Sequence, residues 1–144
     1  MEIYVQGLEN GIATFETLCP TYADWNESHL SCCRYVAVES GNVVGWIAVS
    51  PTSSRPAYKG CVEVSIYVDD SHKRKGIGYG LMQHLIDMAP ENGIWSLYAA
   101  IFSINVASIN LHSKCGFRKI GYRERIAKDR FGKWQNTTLM EFRL

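Results

Sequence analysis

Lys73-Arg74-Lys75-Gly76-Ile77-Gly78-Tyr79-Gly80 stands between a strand-like run over residues 62–68 and a helical run in which Ile77, Leu81, Leu85 and Met88 recur at helical spacing. This order of strand, glycine loop and helix decides how the chain is read. Glycine has no Cβ, so small residues at 76, 78 and 80 let the backbone come close to a ligand. N–H groups at a helix start lack intrahelical partners and carry positive partial charge. Such an end is a seat for anions, phosphate above all. The three adjacent cations add attraction. A solvated charge run before a glycine turn would use the same residues, so the loop becomes specific only together with the rest of the chain.

Downstream, the helix is expected to end near Pro90, followed by a strand over 94–101. Residues 105–115 read as a helix with Asn105 as N-cap and Gly116 just past its end. Strands over 118–127 and 134–143 close the chain as a hairpin across 129–133. Upstream, 1–9 read as the end of a helix and 22–30 as a short helix. Strands over 34–39 and 43–50 flank Ser40-Gly41-Asn42, a tight-turn sequence, and form a hairpin. Residues 51–58 are a loop. The chain is therefore α+β, with antiparallel strands first and a parallel crossover in the middle. Its 144 residues are expected to form one domain, 1–144.

A hydrophobic fraction of 47% sets disorder aside, and a formal net charge of +1 gives no nucleic-acid footprint. No apolar run approaches a membrane span and no secretory signal opens the chain, so a cytoplasmic protein is expected. The cysteines, Cys19, Cys32, Cys33, Cys61 and Cys115, are odd in number and lack C-x-x-C spacing. Neither a disulfide framework nor a metal site is indicated. A nucleophilic Cys61 or Cys115 is an alternative, although buried structural cysteine is commoner.

In the strand over 60–68, Val62, Val64, Ile66 and Val68 share one face and Cys61, Glu63, Ser65 and Tyr67 the other. A carboxylate in mid-strand is costly to bury unless it is paired or used. Glu63 is either a solvent-facing residue or a general base beside the ligand, and its place directly before the glycine loop favours the base. The second stretch, Asn105-Val-Ala-Ser108-Ile-Asn-Leu111-His112-Ser-Lys-Cys-Gly116-Phe117, needs no function by itself.

Together the two stretches resemble the GNAT superfamily of N-acetyltransferases. Its cofactor motif, Arg or Gln, two residues, Gly, one residue, Gly or Ala, stands here as Lys73-Arg74-Lys75-Gly76-Ile77-Gly78, with Lys in the first place. Arg55-Pro-Ala-Tyr58, Val62-Glu63-Val-Ser-Ile-Tyr-Val68, Thr14-Phe15-Glu16, Gly45-Trp46 and Phe131-Gly-Lys-Trp134 resemble its phosphinothricin acetyltransferase-like branch. Asn136 stands where the branch favours Asp. The resemblance implies a central mixed, mostly antiparallel sheet flanked by helices, with one more strand and a fuller first helix ahead of Met1. It implies acetyl-CoA as cosubstrate, a small-molecule amine as acceptor, no metal, and room for a homodimer. Cofactor contacts fall on Ile66, Tyr67, Val68, Lys73, Arg74, Lys75, Gly76, Ile77, Gly78, Tyr79, Gly80, Asn105 and Ser108. Glu63 is the implied base, and His112 a proton relay or a packing residue. Phe15, Trp46, Arg55 and Tyr58 are candidates for the amine. Polyamines, aminoglycosides, peptide N-termini or a non-catalytic CoA module are the alternatives.

Overall fold

The computed structural model describes all 144 residues. Helices α1 (Glu2–Asn10) and α2 (Tyr22–Ser28) precede the hairpin of β1 (Tyr35–Glu39) and β2 (Asn42–Pro51). β3 (Cys61–Val68), α3 (Ile77–Met88), β4 (Ser96–Phe102) and α4 (Val106–Lys114) follow, and β5 (Arg118–Lys128) and β6 (Trp134–Arg143) close the chain. The strands form one sheet in the order β1-β2-β3-β4-β6-β5. Only the β3–β4 step is parallel; the others are antiparallel. The mixed, mostly antiparallel sheet read from the sequence is thus the observed one.

Local chemistry fixes the turns. Ser40 and Gly41 both take positive φ, 50° and 80°, between the paired residues Glu39 and Asn42, as a two-residue hairpin turn requires. Asn105 caps α4, its side-chain oxygen accepting the Ser108 N–H at 3.2 Å. Gly116 ends that helix at φ 99°, and the Phe117 N–H reaches back to the His112 carbonyl at 3.0 Å. Asn136 has a structural task. Its side-chain oxygen accepts the Arg125 N–H at 2.7 Å, where β5 breaks register and Arg125 turns to φ 44°.

The core lies between α3, α4 and one face of the sheet. Ile47, Val49, Val62, Leu85, Leu97 and Met140 are each 1% exposed or less. Across the sheet, Tyr4 of α1 packs on Trp46 and Tyr67, with ring centroids 6.2 and 5.1 Å away.

One irregularity positions everything else. β3 and β4 pair only at Cys61↔Ser96, Val62↔Leu97 and Glu63↔Tyr98. Beyond Glu63 each strand runs on with its other neighbour, to Gly45↔Val68 on one side and Phe102↔Thr137 on the other. The sheet therefore splits in a V with Glu63 at its apex.

Candidate active site

The split is a cleft of about 300 Å³. Phe15, Glu63, Ile66, Tyr67, Asn105, Ser108 and His112 all line it. Seven residues chosen from three separate segments of sequence thus meet at one place. The Asp69 N–H binds the Val44 carbonyl of β2 at 2.8 Å. By the two-residue period of a strand, Ser65 and Tyr67 also turn their peptides toward β2. Val64, Ile66 and Val68 then turn theirs into the gap, where no strand answers them. An extended ligand can fill this edge as an added strand would. Among residues 66–68, Tyr67 contributes its side chain to the cleft rather than its peptide.

The glycine loop lies past the open end of the split, and its glycines have different tasks. Gly76 is the α3 N-cap at φ 81°, a conformation that disfavours any side chain. Gly78 packs on α4: a Cβ there would stand 3.1 Å from Leu111 Cδ2. Gly80 faces open space, and its N–H is already bound to the Gly76 carbonyl at 3.0 Å. From Arg74 to Tyr79 no N–H group has a backbone partner. Of the run over 74–80 read from the sequence as an anion seat, only the Gly80 N–H is already taken.

The cations divide likewise. Lys73 is paired with Asp70 at 2.5 Å, while Arg74 and Lys75 form no ion pair. Arg74 takes φ 63°, a strained conformation for a side-chain-bearing residue. The approach to the loop is tied down by Asp69. It accepts hydrogen bonds from Gln6 Nε2 of α1 at 2.8 Å and from His72 Nδ1 at 2.7 Å. His72 Nε2 in turn meets Glu39 of β1 at 2.8 Å.

At the apex, Glu63 is half-buried and has neither a hydrogen-bond nor an ion-pair partner. Burial alone raises its pKa above the ordinary carboxylate value. His112 is 2% exposed, against Phe117 at a centroid distance of 4.9 Å. Its Nδ1–H donates to the Ser108 carbonyl at 2.7 Å, which fixes the tautomer. Nε2 is then an acceptor, and it is buried with no partner. Desolvation lowers the His112 pKa, so the ring is neutral at pH 7.

Asn105 holds the cleft together rather than lying free in it. Besides capping α4, its Nδ2 donates to the Ile12 carbonyl at 3.3 Å, tying α4 to the loop between α1 and α2. Phe15 on that loop packs on Phe102 at 4.4 Å. Three sequence candidates lie outside the cleft lining. Trp46 stands behind Tyr67, stacked at 4.9 Å. Arg55 and Tyr58 meet each other, guanidinium over ring at 5.8 Å, in the loop that leaves the sheet beside Glu63. Cys61 and Cys115 are not in the lining, and burial raises the Cys115 pKa, so a thiol nucleophile has no support. Sequence reasoning missed Glu16 and Phe102 as cleft residues and Tyr98 as the neighbour of Glu63. Glu16 was visible only as part of a motif. Tyr98 depended on an unreadable register.

Residues 4–117 match the model of the acetyltransferase (GNAT) family. The Bacillus subtilis protein YwnH is 39% identical over 88% of this chain and 80% of its own length. The L-methionine sulfoximine/L-methionine sulfone acetyltransferase of Pseudomonas aeruginosa is 36% identical over 73% of this chain; the match spans 60% of that protein. Among solved structures, the phosphinothricin acetyltransferase of Sinorhizobium meliloti in complex with acetyl-CoA superposes with a TM-score of 0.89 at 31% identity, covering 99% of this chain and 80% of the other. No helix of the chain is long and apolar enough to cross a membrane. The chain belongs to the acetyltransferase (GNAT) family and is an acetyl-CoA-dependent N-acetyltransferase.

Proposed function

We propose that the acceptor is the primary amine of a small amino acid-like substrate, of the phosphinothricin, methionine sulfoximine or methionine sulfone type, and that Glu63 is the general base. One observation carries the reading: an unpartnered, half-buried carboxylate stands at the apex of a split whose far end leads to a run of free N–H groups. About 17 Å of strand separates Glu63 from Val68, enough for an extended cofactor arm along the open edge. The relatives' named substrates support the amine class.

Acetyl-CoA supplies an activated acetyl thioester. The residues present fit it, since the open β3 edge, the free N–H groups and the orphaned His112 Nε2 all lack partners within the chain. The free N–H groups over residues 74–79, with the side chains of Arg74 and Lys75, would hold the phosphates. The peptides of Ile66 and Val68 would pair with the arm, and one N–H would polarise the carbonyl. Glu63, directly or through a water, takes a proton from the substrate ammonium so that a neutral amine attacks. The C–N bond forms as the C–S bond breaks, with no covalent enzyme intermediate. His112 Nε2, a neutral acceptor, orients an N–H or O–H in the cleft. Arg55, on the loop that leaves β2 beside Glu63, would meet the substrate's acidic group with a forked pair of hydrogen bonds.

Thiol release from acetyl-CoA across a panel of amines tests the reading. Turnover of methionine sulfone, methionine sulfoximine or phosphinothricin is expected. Turnover of spermidine or a peptide, with none of any amino acid analogue, would overturn the substrate class and leave the acetyltransferase in place.

A further inference from the structure

The cleft holds a second carboxylate that neither the proton transfer nor cofactor binding uses. Glu16 lies exposed on the loop between α1 and α2, and it lines the same space as Glu63. The Glu16 side chain has neither an ion-pair nor a hydrogen-bond partner. Its charge lies close enough to Tyr67 to raise that phenol's pKa, beneath burial and Tyr4 as causes, and Glu63 acts on the same phenol. The Tyr67 hydroxyl thus sits in the field of two carboxylates. No Lys or Arg lines the cleft. His112 lines the same cleft, and its buried Nε2 is an acceptor with no partner. Two carboxylates without a cation ask for a ligand end rich in N–H donors.

We propose that Glu16 is a positioning residue for the amine. It holds the substrate ammonium opposite Glu63, so that the substrate enters amine first and its acidic group stays outside, toward Arg55. The ammonium offers three N–H donors, and the two carboxylates accept from it. Glu63 then removes the proton while Glu16 keeps the nitrogen in place. Zwitterions fit only in this orientation, because an inward carboxylate would meet two like charges and no counter-ion.

This inference rests on the N-acetyltransferase reading, and the test separates the two. Steady-state kinetics with methionine sulfone are compared for the wild type, Glu16→Gln and Glu16→Asp at saturating acetyl-CoA, with CoA binding followed by calorimetry. Glu16→Gln should raise the amine KM roughly tenfold, the usual worth of a charge-assisted hydrogen bond. It should leave kcat within about twofold and CoA affinity unchanged, because Glu16 holds the nitrogen without taking its proton. Glu16→Asp should recover part of the loss. Added salt should raise the wild-type KM more than that of Glu16→Gln. An unchanged KM, or a fall in kcat matched by weaker CoA binding, overturns the role of Glu16 alone. Absence of turnover by the wild type on every amine overturns the acetyltransferase reading and this inference with it.

Discussion

Replacing Glu63 by Gln keeps size and shape and removes only proton acceptance. The magnitude follows from the site. Glu63 has no partner to lose, so the fold should be untouched, and burial raises its pKa toward that of a more effective base. For an amine whose pKa lies about 2 units above the assay pH, about one molecule in a hundred is neutral. Supplying the neutral form is then worth up to ~10² in rate, at the lower end of what general-base help contributes. That corresponds to about 2.7 kcal/mol of barrier. The expected result is a loss of ~10² in kcat at neutral pH, with CoA affinity retained. The deficit should shrink about tenfold per pH unit as the pH approaches the amine's own pKa, because free amine needs no base. The assay is thiol release at saturating acetyl-CoA from pH 6 to 10, beside calorimetric CoA binding. A deficit that is constant across this range would refute proton acceptance by Glu63, whatever its size.

The loop offers a paired test. Gly78→Val should weaken CoA binding and also lower Tm, since its side chain would press on Leu111; unchanged CoA affinity would sink the loop assignment. Arg74→Gly should raise stability by about 1 kcal/mol by relieving the positive φ, while lowering CoA affinity if the guanidinium meets a phosphate; thermal melts with and without CoA separate the two effects. Arg55→Lys keeps charge but loses the fork, so it should raise the amine KM and leave the acetyl-CoA KM alone. Asp129 is held below the ordinary carboxylate value by Gln135 and by the N–H groups of Lys133 and Phe131. Its contribution is present above the unfolded value of 3.8 and is lost as pH falls through the depressed folded value. Asp129→Asn should therefore narrow the stability gap between neutral and acid pH in denaturant titrations.

Much of the fold was legible because its signals are local. Ser40-Gly41 could only be a tight turn, Asn105 and Gly116 bracket a helix, and the alternation from Val62 to Val68 marks a strand with Glu63 on the less apolar face. The anion loop was legible for the same reason, since strand, glycine and helix start are contiguous in the chain. What remained hidden depended on pairing between distant segments. No pattern within β3 or β4 says that they pair at three positions and then part, yet that parting makes the cleft. The tasks of the glycines at 76, 78 and 80 differ because Leu111, 33 residues beyond Gly78, packs on one of them. Lys73 and Arg74 look alike in sequence, but Asp70 neutralises only the first. Glu16 and Tyr98 entered the site through a loop crossing and a strand register. Local sequence thus fixed the elements and the chemistry of each. Tertiary structure decided which groups share one desolvated space, because burial and charge–charge distance are properties of the folded sheet.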